Sequence, residues 1–84
     1  MNSYKNLTAS GAVKTASGEL VGMYVNSTNA GTVKIYDGTD ATGTVINNTV
    51  TPSIGYHKLG DVSVVTGIYV EIGGTALDVT FYYK

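Results

Sequence analysis

The apolar residues of this chain recur at every second position, and no window repeats them at the i, i+3, i+4, i+7 spacing of a helix. Val21, Met23 and Val25 alternate with Leu20, Gly22 and Tyr24, and Val33 and Ile35 with Lys34 and Tyr36. Ile68, Val70 and Ile72 alternate with Tyr69 and Glu71, and Leu77, Val79 and Phe81 with Asp78, Thr80 and Tyr82. Successive side chains of a strand point to opposite faces, so each run has one buried and one open face. The alternation predicts a core of Val21, Met23, Val25, Val33, Ile35, Ile68, Val70, Ile72, Leu77, Val79 and Phe81.

Turn signals punctuate these runs: Ala9-Ser10-Gly11, Ala16-Ser17-Gly18, Ser27 to Gly31, Asp37-Gly38-Thr39-Asp40, Pro52 to Gly55 and Gly73-Gly74-Thr75. Gly, Asn and Asp supply the positive φ and side-chain turns that such positions need. The predicted strands are 5–9, 12–16, 19–27, 31–37, 44–51, 55–60, 62–66, 67–73 and 76–83. Strands this short, at intervals of roughly 8–12 residues, belong to sandwiches and barrels. The expected fold is all-β: a small antiparallel β-sandwich, jelly-roll-like, of about eight short strands. The 84 residues make one domain, 1–84, with 1–6 expected as an extended N-terminal arm.

A chain of this length buries only about 60% of its unfolded surface. Chains this short lean on disulfides, metals or partner subunits. There is no cysteine, so association is the remaining support. Charged residues are 13% of the chain, about half the usual share, and the net charge is −1. Five scattered lysines and no arginine do not form the basic patch that nucleic acid requires. No run approaches 18 consecutive apolar residues, so no membrane helix is expected. The segment Met1 to Asn6 has no apolar core of a signal peptide, which predicts synthesis in the cytoplasm.

The residues that usually carry catalysis are sparse. His57 is the sole histidine, with Asp61 four positions on. A triad would need a serine and a carboxylate beside it in space, whereas an isolated histidine on a strand is ordinarily a surface or packing residue. Asp37-Gly38-Thr39-Asp40 has two acids in a turn, but not the alternating acids and closing glutamate of a calcium loop. Gly73-Gly74 lacks the Lys-Ser/Thr of a phosphate loop. The expectation is a protein that is not an enzyme, with no catalytic residue, no cofactor and no metal.

Tyrosine is the unusual component: seven, against one phenylalanine and no tryptophan. Tyr24, Tyr36, Tyr69 and Tyr82 fall on the parity opposite the expected core. A ring with an apolar body and a polar tip suits surfaces that a partner covers. These four are the candidate interface residues.

Gly22-Met23-Tyr24-Val25-Asn26-Ser27, Gly31 to Gly38, Gly43-Thr44-Val45-Ile46, Leu59-Gly60-Asp61-Val62, Gly67 to Ala76 and Val79 to Tyr83 follow one pattern of strands and turns. From about residue 9 onward that pattern resembles short virion structural proteins of tailed bacteriophages and prophages. The resemblance implies a capsid decoration or cement protein, or the base of a head fibre. Its partners would be the major capsid protein or other virion proteins and its own copies, most simply as a trimer, and its location the virion. It brings no active-site residues, and tail placement stays open. The competing expectation is a carbohydrate-binding or adhesin-like module using Tyr36 beside Asp37, or Tyr56 beside His57.

Overall fold

The computed structural model describes residues 2–74 and 77–84. Among them are eight strands and no helix: β1 (Ser3–Leu7), β2 (Gly11–Lys14), β3 (Gly18–Thr28), β4 (Thr32–Asp37), β5 (Thr44–Val50), β6 (Gly55–Val64), β7 (Ile68–Gly73) and β8 (Leu77–Tyr83). Met1, Thr75 and Ala76 lie outside the described residues. The expected arm is therefore described from Asn2, and the expected strand 76–83 from Leu77.

The strands form two antiparallel four-stranded sheets, ordered β1-β8-β3-β6 and β2-β7-β4-β5. β4 pairs with β5, β3 with β6, β2 with β7 and β1 with β8, so the second half of the chain runs back along the first. The β3–β8 and β4–β7 pairings then join that folded ribbon to itself. This is the wrapping of an eight-stranded jelly roll. The shortest extent of the molecule is 17 Å, enough for two sheets about 10 Å apart and no third layer.

Ten of the eleven residues expected in the core alternate as the two-residue period requires, and nine of those are buried: Met23, Val25, Val33, Ile35, Ile68, Val70, Leu77, Val79 and Phe81. Ile72, near the end of β7, is half-buried and packs on the core from its rim. Val21 is the exception in register. The β3 ladder shifts between Leu20 and Gly22, which turns Leu20 fully inward and leaves Val21 half-buried. Leu7, Val13 and Val64 complete the core.

The same irregularity merges two expected strands into one. Leu20 pairs with Val62 and Gly22 with Lys58, so Leu59, Gly60 and Asp61 together face Val21. Gly60 (φ +81°) and Asp61 (φ +55°) both adopt the left-handed conformation there. Glycine takes it freely, and aspartate is among the few other residues that tolerate it. The break expected between strands 55–60 and 62–66 is a bulge inside the single strand β6. At the chain start, Ser3 to Leu7 pair with Tyr83 to Val79, so the extended N-terminal segment is the edge strand of a sheet from Ser3 onward.

Candidate interaction surface

The outer face of the β1-β8-β3-β6 sheet can be laid out from its register, because directly paired residues share a face. Across one row lie Tyr4, Tyr82, Gly22 and Lys58; across the next, Asn6, Thr80, Tyr24 and Tyr56. Four tyrosines from four different strands thus share one face. Tyr4, Tyr24 and Tyr56 are 72%, 42% and 52% exposed, and Tyr82 is half-buried among them. Tyr56 and Tyr82 tilt against each other with centroids 6.2 Å apart. Gly22, in the first row, is the floor under the Tyr56 ring: a Cβ there would stand 2.3 Å from the Tyr56 hydroxyl oxygen. The ring of Tyr56 therefore lies across bare backbone, which only glycine permits.

Beside the rings is a fixed polar group. Asn6 Nδ2 donates to Asp78 Oδ1 (2.7 Å) and Asn26 Nδ2 donates to the same oxygen (3.2 Å). Both amides also donate to Thr80 Oγ1, at 3.1 and 3.2 Å. An ionised carboxylate only accepts, so Asp78 fixes which end of each asparagine faces it. The polar ladder ties β1, β8 and β3 together beside the tyrosines and holds the face in one shape.

Of the four tyrosines singled out by parity, Tyr24 and Tyr82 belong to this face. Tyr36 and Tyr69 lie on the outer face of the other sheet, 6.1 Å apart between centroids, so the structure divides the four into two pairs on opposite sides of the molecule. Tyr36 has the outward parity expected of it, yet it is only 5% exposed. Its hydroxyl donates to Glu71 Oε1 (2.7 Å), and Lys34 Nζ lies 5.5 Å over its ring. That hydrogen bond, then burial and the Glu71 charge, push the Tyr36 hydroxyl above its usual pKa. Parity shows which side a ring faces, but not whether its own neighbours cover it. Tyr36 is covered from within the chain, and Tyr69 is half-buried beside it.

Tyr4 and Tyr56 are the members that sequence reasoning did not count among the four interface candidates, Tyr56 having been named only beside His57 for the carbohydrate alternative. Tyr56 sits in a visible alternation with His57 and Lys58. Its company with Tyr24 and Tyr82 depends on pairing between strands more than 20 residues apart, which periodicity within one strand does not contain. Tyr83 alternates inward and packs at the rim of the core, with Lys14 Nζ 5.7 Å from its ring centre.

The polar motifs have local work. The Asp37 carboxylate accepts backbone N–H bonds from Val65, Thr66 and Gly67 at the β6–β7 turn, at 3.0, 2.9 and 3.4 Å. These bonds favour the charged form and hold its pKa below the ordinary carboxylate value. The Asp40 carboxylate accepts from the Thr42 hydroxyl and its backbone N–H, and is lowered for the same reason. The two aspartates of the 37–40 turn are thus engaged on different segments. Among the described residues no three His, Cys, Asp or Glu side chains gather where a metal could be held. His57 Nε2 donates to the Ser53 carbonyl (2.8 Å), fixing the turn before β6. One open surface depression is lined by Lys14, Glu19, Ser63 and Lys84.

Comparison with family models, curated proteins and solved structures finds no match to this chain.

Proposed function

We propose that this chain is a non-enzymatic structural protein of a bacteriophage virion, a decoration protein that lies on the capsid through the tyrosine face of its β1-β8-β3-β6 sheet and contacts its own copies. The observation that carries the reading is the gathering of Tyr4, Tyr24, Tyr56 and Tyr82 from four strands onto one open face. The exposed parts of Tyr4, Tyr24 and Tyr56 come to roughly 300 Å², taking about 200 Å² per tyrosine side chain. A standard interface takes about 800 Å² from each partner, so Lys58, Asn6 and Thr80 beside the rings fall within the footprint. Tyrosine contributes contact area with little rotamer entropy to lose, which makes it a frequent anchor in interfaces. Many weakly bound copies on a repeated lattice gain further from avidity wherever neighbours also touch.

The test is occupancy on purified particles. Alanine at Tyr24, Tyr56 or Tyr82 is expected to weaken attachment by about 1–2 kcal/mol each. Full occupancy in all three variants refutes attachment through this face.

One observation favours a second reading, a carbohydrate-binding module. Asp78 and its two asparagines are hydrogen-bonding groups held beside Tyr24 on the same face, where a sugar ring could stack and bond. Tyr36 with Asp37 no longer serves this reading, because the ring is covered and the carboxylate is held by the β6–β7 turn. A glycan array run beside a particle-pelleting assay separates the two, since each reading expects a signal in one assay and none in the other.

A further inference from the structure

The polar cluster beside the tyrosines spends its donors internally and keeps its acceptors open. Each asparagine amide carries two N–H donors. Asn26 Nδ2 directs both inward, to Asp78 Oδ1 (3.2 Å) and Thr80 Oγ1 (3.2 Å). Asn6 Nδ2 divides its two among Asp78 Oδ1 (2.7 Å), Thr80 Oγ1 (3.1 Å) and the Val79 carbonyl (3.3 Å). Among the described residues nothing donates to Asp78 Oδ2 or to the Oδ1 of either asparagine. Both asparagines are exposed, and each of these oxygens has lone pairs to offer. The cluster thus presents three accepting oxygens against one remaining donor, the Thr80 O–H.

Its charge is equally one-sided. Asp78 is the ionisable member of the cluster. Lys58, on the same outer face, lies two strands and four residues of register away, roughly 16 Å by strand spacing and rise. Lys5, next to Asn6, falls on the opposite parity of β1, across from Phe81. Aromatic rings border the carboxylate. Tyr24 pairs directly with Thr80, and Tyr4 precedes Asn6 by two residues on the same face of β1. Both rings are exposed.

We propose that this corner of the tyrosine face receives an arginine side chain of the partner protein, its guanidinium on Asp78 Oδ2 and the asparagine carbonyls and its plane against Tyr24. The proposal rests on the attachment reading above and names the partner chemistry that the face takes. A guanidinium has N–H donors in one plane and no acceptor. It matches acceptors that lack donors, stacks on tyrosine, and neutralises a carboxylate that attachment would otherwise bury unpaired. A sugar hydroxyl both donates and accepts, and the cluster has spent the amide donors that a sugar would use. Calcium takes about six to eight oxygens, and this cluster has one carboxylate to offer it. An ion pair closed over by rings is screened little, so the arginine leaves attachment resistant to salt.

Asp78→Asn is the discriminating variant. Its carbonyl oxygen keeps accepting from Asn6 and Asn26, while the outward oxygen becomes an N–H donor and the charge is gone. Urea unfolding should match wild type, and affinity for purified particles should fall by about tenfold or more. The site is also read directly, by NMR titration of the free protein at fixed ionic strength. The probes are N-acetyl-arginine amide, N-acetyl-lysine amide, a set of methyl glycosides and calcium chloride, at matched millimolar concentrations. The arginine probe should shift the Asn6 and Asn26 side-chain amides and the Tyr24 ring in wild type and not in Asp78→Asn. Its shifts should exceed those of the lysine probe, whose ammonium is a compact charge without a stacking plane. Shifts from a glycoside or from calcium and none from arginine overturn the proposal, as does a wild-type spectrum that no probe changes. Full occupancy of Asp78→Asn beside a loss in Tyr24→Ala also overturns it, and leaves attachment through the rings standing. Full occupancy of the alanine variants at Tyr24, Tyr56 and Tyr82, with the arginine shifts present, removes the attachment reading and leaves the arginine site standing.

Discussion

Two glycine-to-alanine substitutions should differ widely in cost, although the chemical change is the same. At Gly22 an added Cβ would lie 2.3 Å from the Tyr56 hydroxyl oxygen, 2.7 Å from its Cζ and 3.0 Å from the His57 carbonyl oxygen. The two closest atoms are the tip of a half-exposed ring that can swing into solvent, and the carbonyl must give only a few tenths of an ångström. Gly22→Ala loses the Tyr56–Tyr82 contact, worth about 0.5–1.5 kcal/mol. It gains about 0.5–1 kcal/mol because alanine gives up less backbone freedom in a strand. The net change should lie within about 1 kcal/mol of zero, with Tyr56 displaced. At Gly67 the neighbours are backbone: the Lys14 carbonyl oxygen at 2.5 Å, the Gly38 carbonyl oxygen at 2.9 Å and the Thr15 Cα at 3.4 Å. Gly67 also accepts a hydrogen bond from the Gly38 N–H (3.1 Å) and donates to Asp37, so its strand end has little room to retreat. Overpacking of this kind costs about 1–3 kcal/mol or more. Urea unfolding of both variants gives the two costs, and NMR contacts between the Tyr56 ring and residue 22 report the displacement. Equal costs at the two sites, or a Tyr56 ring still lying over residue 22 in Gly22→Ala, would contradict the reasoning.

Phe81→Ala empties the centre of the sandwich from a fully buried position and should cost about 3–5 kcal/mol, a large part of the stability of so small a domain. Thermal unfolding should fall by about 12 °C or more, and a loss under about 1 kcal/mol would show that Phe81 is not the core residue described. Asp37 has a folded pKa below its unfolded value of about 3.9, so its contribution is present above that pH and is lost as pH falls through the lower folded value. The stability gap between wild type and Asp37→Asn should therefore narrow below about pH 4, and a gap that stays constant into acid would remove the clamp as its cause. Tyr36 is shifted upward, so its contribution is present below about pH 10 and is lost as pH rises through the folded value. Tyr36→Phe should abolish that alkaline loss, measured as the urea midpoint across the alkaline range.

The two-layer all-β architecture was legible because alternation and turn residues act locally. Ile68, Val70, Val79 and Phe81 are buried where a two-residue period puts them. What escaped the sequence was set between strands. The bulge opposite Val21 slips β3 by one position and exchanges Leu20 for Val21 in the core. Val21 is an extra residue of β3 against β8, where Leu20 and Gly22 pair with the consecutive Tyr83 and Tyr82, and periodicity within one strand does not show which residue its neighbour leaves unpaired. The tyrosine face was half legible: parity found Tyr24 and Tyr82, while Tyr4 and Tyr56 join them only through cross-strand register. Tyr36 shows the opposite failure, since its outward parity was read correctly and its cover, Tyr69, Glu71 and Lys34, comes from side chains on two strands.

The most direct test of the attachment account is the amount of this protein retained on particles purified across a salt series, for wild type and for alanine variants at Tyr24, Tyr56, Tyr82 and Tyr36. Attachment through aromatic area, with few charges, is screened little by salt, so wild type should stay bound at high salt. Alanine at Tyr24, Tyr56 or Tyr82 should each reduce retention, by roughly 5- to 30-fold in affinity for a loss of about 1–2 kcal/mol. Tyr36→Ala, if it folds, should stay bound, because that ring lies on the opposite sheet and is already covered. Release of wild type at moderate salt, or full retention of the three outer-face variants, would contradict the account and exclude the β1-β8-β3-β6 face as the binding surface.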